Sequence, residues 1–256
     1  PRHTPVPTPA STLDNPDDIR HALPEGPGLA SLSGLLTPAE ANDIRNTLLN
    51  ELDDARENEP GVMHLANLIS RGSVFEALAT HPRLLAVAHA LLGEDAALGA
   101  FSGRILMPGC NTGGLHIDYP YWALPAGMPV DPPLMMQVIW MMEPFSSTNG
   151  GTWVAPGSQQ WPQRPEPIRF QKNAVQITGN AGDALVSHGL LWHQTAQNHA
   201  SEPRVAVLIN YTQLTVKPMV TMGPFDEPFQ AKASPALRTL LGFDHGASLR
   251  ARLKSL

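Results

Sequence analysis

Residues 182–193 read GDALVSHGLLWH: a turn dipeptide, a short apolar run and then two histidines. A short apolar run that follows a Gly-Asp pair is typical of a β-strand entered through a turn. The same pattern recurs through the C-terminal half of the chain, where Gly, Pro and Asn separate the runs. The strands that it predicts are Leu98–Met107, Met135–Met142, Thr152–Val154, Ala184–Val186 and Val205–Thr212.

Helical signals dominate the chain before residue 97. Thr37-Pro38-Ala39-Glu40 has the form of a capping box with proline at the first helical position, and it predicts a helix that runs to about Asn58. Residues 74–92 form a second helical stretch, which should be interrupted at Pro82 and stopped by Gly93. Helices first and strands afterwards predict the α+β class.

The two ends of the chain differ from the middle. Residues 1–27 are rich in proline and are interpreted as an extended N-terminal arm. Residues 28–256 show no repeat and no second type of composition, so they are predicted to form one domain. Ser234-Pro235 should begin a short C-terminal helix, and residues 247–254 could form another.

Composition excludes several classes of protein. The hydrophobic fraction of 42% supports a large core, and the net charge of −6 argues against a nucleic-acid surface. Cys110 is the single cysteine, so an internal disulfide and a cysteine-based zinc site are excluded, and a reducing cytoplasm is favoured. No apolar run approaches the roughly 20 residues of a membrane span, so no membrane partner is expected.

One triplet can hold a metal ion. On a strand, residues two apart point to the same side, so His116 and Asp118 can bind one ion together. A second histidine must come from elsewhere in the fold, and His188 and His193 are both candidates. Two histidines and one carboxylate with open coordination positions are typical of non-haem Fe(II) oxygenases.

Three motifs carry a resemblance to a known family. Residues 182–193, followed by Asn198, Ser201 and Arg204, resemble the C-terminal signature of the phytanoyl-CoA dioxygenase (PhyH-like) family. Asn149–Ser158 resembles that family's Asn-Gly to Pro-Gly-Ser stretch. Met107-Pro108-Gly109, leading to His116–Pro120, resembles its proximal metal motif. The resemblance runs in the family's order from about Phe75 to Tyr211.

The resemblance implies both the fold and the site. The fold is a double-stranded β-helix, a cupin-like jelly roll with helices packed on one face. The metal is Fe(II), and the catalytic and metal-binding residues are His116, Asp118 and His193. His193 is chosen over His188 because the family's arginine lies eleven residues after the distal histidine, as Arg204 does here. The co-substrate 2-oxoglutarate is expected to contact Arg204 and Thr195, with dioxygen as oxidant and ascorbate as activator. Trp140 either contacts the co-substrate, as an aromatic at this strand position often does in the family, or belongs to the core.

The resemblance also implies an oxidoreductase of secondary metabolism. The expected reaction oxidises a C–H bond of a small molecule and releases succinate and CO2. Because Asp118 occupies the carboxylate position, hydroxylation, desaturation, cyclisation or epimerisation is expected rather than halogenation. Tyr119, Tyr121 and Trp122, together with the methionines, suggest an apolar or aromatic substrate.

Two alternatives belong to other classes of protein. One is a redox-silent jelly roll that only binds metal, and the other is a degenerate scaffold for partner binding. Arg204 argues against the first, because holding a metal does not require it. The intact triad argues against the second.

Overall fold

The computed structural model describes residues 15–111, 113–125 and 131–244. Seven α-helices and ten β-strands lie within these ranges. The helices are α1 Pro16–Ala22, α2 Pro38–Asn50, α3 Ser73–Ala79, α4 Pro82–Leu92, α5 Pro167–Asn173, α6 Glu227–Lys232 and α7 Pro235–Leu240. The strands are β1 Leu29–Leu32, β2 Arg56–Glu59, β3 Val62–Ala66, β4 Ala97–Leu106, β5 Met135–Met141, β6 Trp153–Val154, β7 Val175–Gln176, β8 Ala184–His188, β9 His193–Gln194 and β10 Arg204–Thr212.

Two antiparallel sheets form the core of the molecule. The major sheet has seven strands in the order β1-β8-β5-β10-β4-β3-β2, and the minor sheet has the order β7-β6-β9. Residue His116 pairs with His193 and so extends the minor sheet by one further segment. Apolar side chains from both sheets, such as Ile139 and Val154, pack together between them. This arrangement is the predicted jelly roll, and it confirms the α+β class.

The major sheet has two different faces because successive strand residues point to opposite sides. Val205, Val207 and Ile209 of β10 pack beneath α2, α3 and α4 in the largest hydrophobic cluster. We call this side the helix-covered face. Ala206 and Leu208 of the same strand point between the two sheets, and we call that side the inward face. Helices therefore cover one side of the sheet, as predicted.

The predicted starts of the helices were confirmed, but one predicted end was not. The Thr37 capping box is present with both of its hydrogen bonds, and α3 and α4 are separated at Pro82 and end before Gly93. The predicted end of α2 at about Asn58 is wrong, because the helix stops at Asn50. The residues beyond it turn and form β2, which pairs with β3 around Gly61 at a φ of 76°.

The extended conformation expected for residues 1–27 is wrong for part of that segment. Residues 16–22 form helix α1, in which the Asn15 side chain accepts a hydrogen bond from the Asp17 amide and Pro16 occupies the first turn. Proline is compatible with a first helical turn, so a proline-rich segment can still begin a helix. Ile19 and Leu23 are fully buried in the main cluster. The boundary at residue 28 stays a prediction, and residues 1–14 lie outside the described residues.

At the other end, α7 begins after Ser234 as predicted, and the Ser234 hydroxyl accepts a hydrogen bond from the Leu237 amide. The further helix expected over residues 247–254 lies outside the described residues. Within the described ranges, no helix is both long enough and apolar enough to cross a membrane.

Candidate metal centre and co-substrate site

Two histidines that are far apart in the sequence are hydrogen-bonded to each other through their backbones. The His116 amide donates to the His193 carbonyl at 3.0 Å, and the His193 amide donates to the His116 carbonyl at 3.1 Å. The pairing places the two imidazole rings side by side, with centroids 4.2 Å apart. Pairing between the minor sheet and the segment before Asp118 therefore brings the two ends of the predicted site together.

Asp118 completes a group of three possible metal ligands. Its amide donates to the Gly189 carbonyl at 2.8 Å, which fixes the backbone two residues after His116. Its Oδ1 lies 3.8 Å from His193 Nε2. One ligand atom from each of His116, Asp118 and His193 lies within 4.8 Å of the others. A shared ion could bridge such a group.

The histidine rings are oriented for metal binding. His116 Nδ1 donates to the Gly114 carbonyl at 2.7 Å, and His193 Nδ1 donates to the Leu191 carbonyl at 2.9 Å. A carbonyl oxygen can only accept, so each Nδ1 carries the proton and each Nε2 keeps a free lone pair. Metal-binding histidines commonly use this arrangement, in which a backbone partner fixes the tautomer.

Burial prepares the same groups for a cation. It lowers the pKa of His193, so the neutral imidazole that binds metals is favoured. Burial also raises the pKa of Asp118 to about 6. Asp118 Oδ2 is buried and has no hydrogen-bond partner among the described residues. A carboxylate in that position is costly until a cation lies beside it, so the donor set fits a divalent metal ion.

Arg204 lies on the inward face at the start of β10. Only 2% of the residue is exposed, its Nη2 donates to the Gly150 carbonyl at 3.0 Å, and its guanidinium lies 4.2 Å from the Phe145 ring centroid. Its Nε is buried without a partner in the described part of the chain, and burial lowers its pKa to about 9. Glu143 is bonded instead to Arg45 and to the Val205 amide. Arg204 can therefore bind the carboxylate of a ligand by donating hydrogen bonds to it.

Thr195 lies two residues after His193, just beyond the end of β9. The residue is buried, and its carbonyl accepts from the Gly113 amide at 3.2 Å. A Cβ atom at Gly113 would lie 3.1 Å from Thr195 Oγ1, so glycine keeps this position open. A hydrogen bond from Thr195 to the co-substrate stays a prediction.

A cavity of about 430 Å³ opens beside the triad. Two of its lining residues are large and exposed: Trp122 at 53% and Met219 at 52%. Tyr119 lies edge-on to Trp122 with ring centroids 5.9 Å apart. The remaining lining side chains include His116, Asp118, Leu115, Ile117, Arg164, Pro165 and Asn210.

Comparison with known proteins identifies the family. The family model described as phytanoyl-CoA dioxygenase matches residues 25–206, which is more than half of the chain. The chain belongs to the phytanoyl-CoA dioxygenase family. It is therefore an iron- and 2-oxoglutarate-dependent dioxygenase-type oxidoreductase, as its sequence motifs predicted.

Several fungal relatives of this dioxygenase carry names of the same kind. Dioxygenase af480 of Aspergillus fumigatus is 26% identical over 245 residues, which cover 90% of this chain and 78% of the relative. Dioxygenase andF of Emericella variicolor is 26% identical, with coverages of 64% and 58%. Dioxygenase trt7 of Aspergillus terreus is 31% identical, with coverages of 55% and 51%. The chain thus spans little more than half the length of the latter two.

Solved structures show the same fold. SnoN, a non-haem alpha-ketoglutarate-dependent epimerase from nogalamycin biosynthesis, has a TM-score of 0.68 at 18% identity and covers 84% of this chain and 91% of its own. A second structure holds SnoN with Fe3+, alpha-ketoglutarate and nogalamycin RO. It has the same TM-score at 17% identity, with coverages of 84% and 94%. Together with the sheet topology, these similarities confirm the jelly roll.

The structure of the dioxygenase contradicts a co-substrate contact for Trp140. This residue is fully buried in the cluster under the helices, where its ring lies edge-on to His81 with centroids 5.6 Å apart. Its strand neighbours Ile139 and Met141 belong to the cluster between the sheets instead. Strand alternation therefore turns Trp140 onto the helix-covered face, away from Arg204.

His188 is not part of the triad of this dioxygenase. Its ring stacks on Tyr121 with centroids 5.5 Å apart, and its Nδ1 accepts a hydrogen bond from the Leu190 amide at 3.0 Å. These contacts give His188 a packing role beside Tyr121.

Sequence reasoning missed one charged residue of the dioxygenase. Arg104 stands in the apolar strand β4, pairs with Ala206 of β10 and is partly buried. An arginine within an otherwise apolar strand was a signal that could have identified it.

Proposed function

We propose that this protein uses Fe(II), 2-oxoglutarate and dioxygen to oxidise a C–H bond of a small-molecule metabolite, with release of succinate and CO2. One observation supports this above all: a cation-binding triad and a buried arginine without a carboxylate partner among the described residues face the same interior between the two sheets. The triad needs positive charge and Arg204 needs negative charge. A metal ion and an organic acid bound together satisfy both needs.

The residues have separable roles in this proposal. His116 and His193 bind the ion through Nε2, while their Nδ1 protons stay on backbone carbonyls. The Asp118 carboxylate contributes negative charge on the same side. When bound, the iron supplies the oxidation chemistry that the side chains cannot perform. Arg204 pairs with the distal carboxylate of 2-oxoglutarate, because a guanidinium can donate two parallel hydrogen bonds to a carboxylate.

The cavity beside the triad supports an apolar or aromatic substrate. Trp122 and Met219 present large apolar surfaces to solvent at the mouth, an arrangement that suits a hydrophobic ligand. Arg164 is the cation of this lining, and its guanidinium donates to the Tyr121 and Leu124 carbonyls at 2.9 and 2.6 Å. It holds the chain around Trp122 in place. The SnoN complex contains nogalamycin RO, which agrees with a secondary metabolite as substrate.

Arg204 also separates this function from that of a redox-silent metal-binding jelly roll. A protein that only held a metal ion would gain nothing from a buried, unpaired guanidinium, which lowers stability. The inward position of Arg204 therefore favours the oxygenase.

A screen for succinate release tests the proposal. The protein would be incubated with Fe(II), ascorbate and 2-oxoglutarate over a library of apolar and aromatic metabolites, and products would be analysed by mass spectrometry. We expect at least one compound to raise succinate release and to gain oxygen, lose hydrogen or change configuration. Anaerobic addition of 2-oxoglutarate to the iron-loaded protein should also give a weak visible charge-transfer band. Absence of this band would contradict the proposal, whatever the library contains.

A further inference from the structure

Arg104 is, after Arg204, a second cation of the inward face that has no acidic partner among the described residues. Its Nε is buried and makes no hydrogen bond. Across residues 15–111, 113–125 and 131–244, no hydrogen bond or ion pair involves the Arg104 side chain. Burial lowers the pKa of this guanidinium, and Glu59 and Asp118 offset part of that effect from a distance. An uncompensated buried cation is costly.

The strand register brings Arg104 close to Arg204. In the antiparallel pair of β4 and β10, Arg104 lies opposite Ala206, and Leu106 lies opposite Arg204. The two arginines are therefore diagonal neighbours on one face, a relation that separates residues by roughly 7–8 Å and lies within reach of long side chains. His64 of β3 is directly opposite Arg104 on the other side. Burial lowers the pKa of His64, so this neighbour does not supply a counter-charge.

Arg104 also influences the triad electrostatically. Its charge acts on Asp118 and on His193, as well as on Arg204. Arg104 is thus within electrostatic reach of both ends of the site. The described acidic groups that act on it are Glu59 and Asp118, and neither forms an ion pair with it.

Two guanidinium groups that face one interior repel each other. A monocarboxylate would pair with one of them and leave the other uncompensated. A dicarboxylate that spans the distance between them would satisfy both, and charge-assisted hydrogen bonds to guanidinium are among the strong ones in proteins. The pair of arginines therefore selects for a small dianion.

We propose that Arg104 binds the carboxylate of 2-oxoglutarate at the metal end of the site, while Arg204 binds the carboxylate at the far end. This inference rests on the proposed function and adds a second co-substrate contact to it. Arg104 thereby strengthens binding of the end that all 2-keto acids share, and Arg204 adds the preference for a dicarboxylate. The competing interpretation is that Arg104 only positions Asp118, in which case its loss would change metal affinity instead.

The test compares two keto acids on Mn(II)-loaded protein by anaerobic titration calorimetry. 2-Oxoglutarate has both carboxylates, whereas 2-oxobutyrate keeps the keto-acid end and lacks the distal carboxylate. The variants are Arg104→Gln, Arg104→Lys and, as the matched reference, Arg204→Ala. Mn(II) affinity and thermal unfolding are measured for each variant.

We expect Arg104→Gln to weaken binding of both keto acids by about tenfold to a hundredfold. Arg204→Ala should weaken 2-oxoglutarate binding by about a hundredfold or more and leave 2-oxobutyrate binding unchanged. Arg104→Lys keeps the charge without the planar fork, so its affinities should fall between those of Arg104→Gln and the unmodified protein. Because the Arg104 side chain has no hydrogen-bond partner to lose in the described part of the chain, its Gln variant should unfold at the same temperature or higher.

Unchanged affinity of Arg104→Gln for both keto acids would overturn the inference while leaving the proposed function intact. A loss of Mn(II) affinity, with unchanged keto-acid binding at saturating Mn(II), would overturn it in favour of the positioning role. Failure of the unmodified Mn(II)-loaded protein to bind 2-oxoglutarate would overturn the proposed function and this inference with it.

Discussion

The two faces of the major sheet are built from the same strands and yet differ in kind. The helix-covered face is a continuous apolar surface that includes Val205 and Trp140. The inward face, one residue further along each strand, carries Arg104 and Arg204 without acidic partners in the described part of the chain. Alternation along β10 thus places a core valine and a buried arginine at consecutive positions, 205 and 204.

The difference separates stability from function. Apolar burial on the helix-covered face stabilises the fold, at roughly 25 cal/mol for each Å² removed from water. The inward face destabilises the fold, because unpaired buried charges are costly until a ligand compensates them. Substitutions on the helix-covered face should therefore lower stability, whereas substitutions on the inward face should lower ligand binding or turnover.

The largest effect is expected at Asp118. Asp118→Asn should abolish turnover and weaken Fe(II) binding, because the amide supplies no negative charge to the ion. The metal-free variant should be as stable as the unmodified protein or more so, since the Oδ2 that loses its charge has no described partner. Succinate release and thermal unfolding in the presence of a chelator measure the two effects.

Asp183→Asn is the matched control. Asp183 is also buried, but its carboxylate accepts from the Gly34 and Asn180 amides, each at 2.8 Å. Its neutral variant should lose about 1–3 kcal/mol of stability, the usual cost of a disrupted buried hydrogen bond, and should retain Fe(II) binding. Marked destabilisation of metal-free Asp118→Asn would contradict the comparison of the two faces.

A moderate effect is expected at Trp140. Trp140→Leu removes a fully buried ring from the helix-covered face and should lower the free energy of unfolding by about 2–4 kcal/mol. Affinity for 2-oxoglutarate should not change, because the side chain points away from the inward face. Denaturant unfolding and calorimetry provide the two values. Weaker 2-oxoglutarate binding in a folded Trp140→Leu protein would contradict this placement and would support a contact between Trp140 and the co-substrate.

The smallest effect concerns His188, which is buried at the end of the helix-covered face. Burial lowers its pKa to about 4, so between pH 6.5 and pH 4 the unfolded chain takes up a proton that the folded chain does not. Stability should therefore fall as the pH falls through this window. Between pH 7 and pH 5.5, His188 should account for about 1 kcal/mol of the decrease in the free energy of unfolding.

His188→Gln should remove this share, so stability should depend less steeply on pH over that range in urea unfolding. His21→Gln, at a side chain that is 59% exposed, is the control, because it makes the same substitution outside the core. Equal slopes in the unmodified protein and in His188→Gln would show that His188 is not the group responsible.

Short sequence motifs correctly predicted the structural features that depend only on residues close in sequence. The Thr37 capping box and the break at Pro82 act within one helical turn, so they could be identified without the fold. The end of α2 could not, because residues beyond Asn50 are drawn into the pairing of β2 with β3. The hydrogen bonds of that hairpin outweigh a helical preference that local sequence can express.

The position of Trp140 was open in the sequence for a similar reason. Residues 135–142 read MMQVIWMM, an apolar run with almost no alternation. A strand buried on both faces has this character, and its sequence does not show which residues point to which side. The face of each residue was decided by pairing with β8 and β10.

The sequence by itself determined the chemistry of the candidate site. His116 and Asp118 are two residues apart, and His193 and Arg204 stand at the family's spacing, so the types of ligand could be read from the chain. Only the tertiary structure decided that His193 pairs with His116 while His188 stacks on Tyr121, and that Arg104 faces the same interior as Arg204. The physical reason is that these relations depend on the register between strands far apart in the chain, and a shift of one residue would reverse every face.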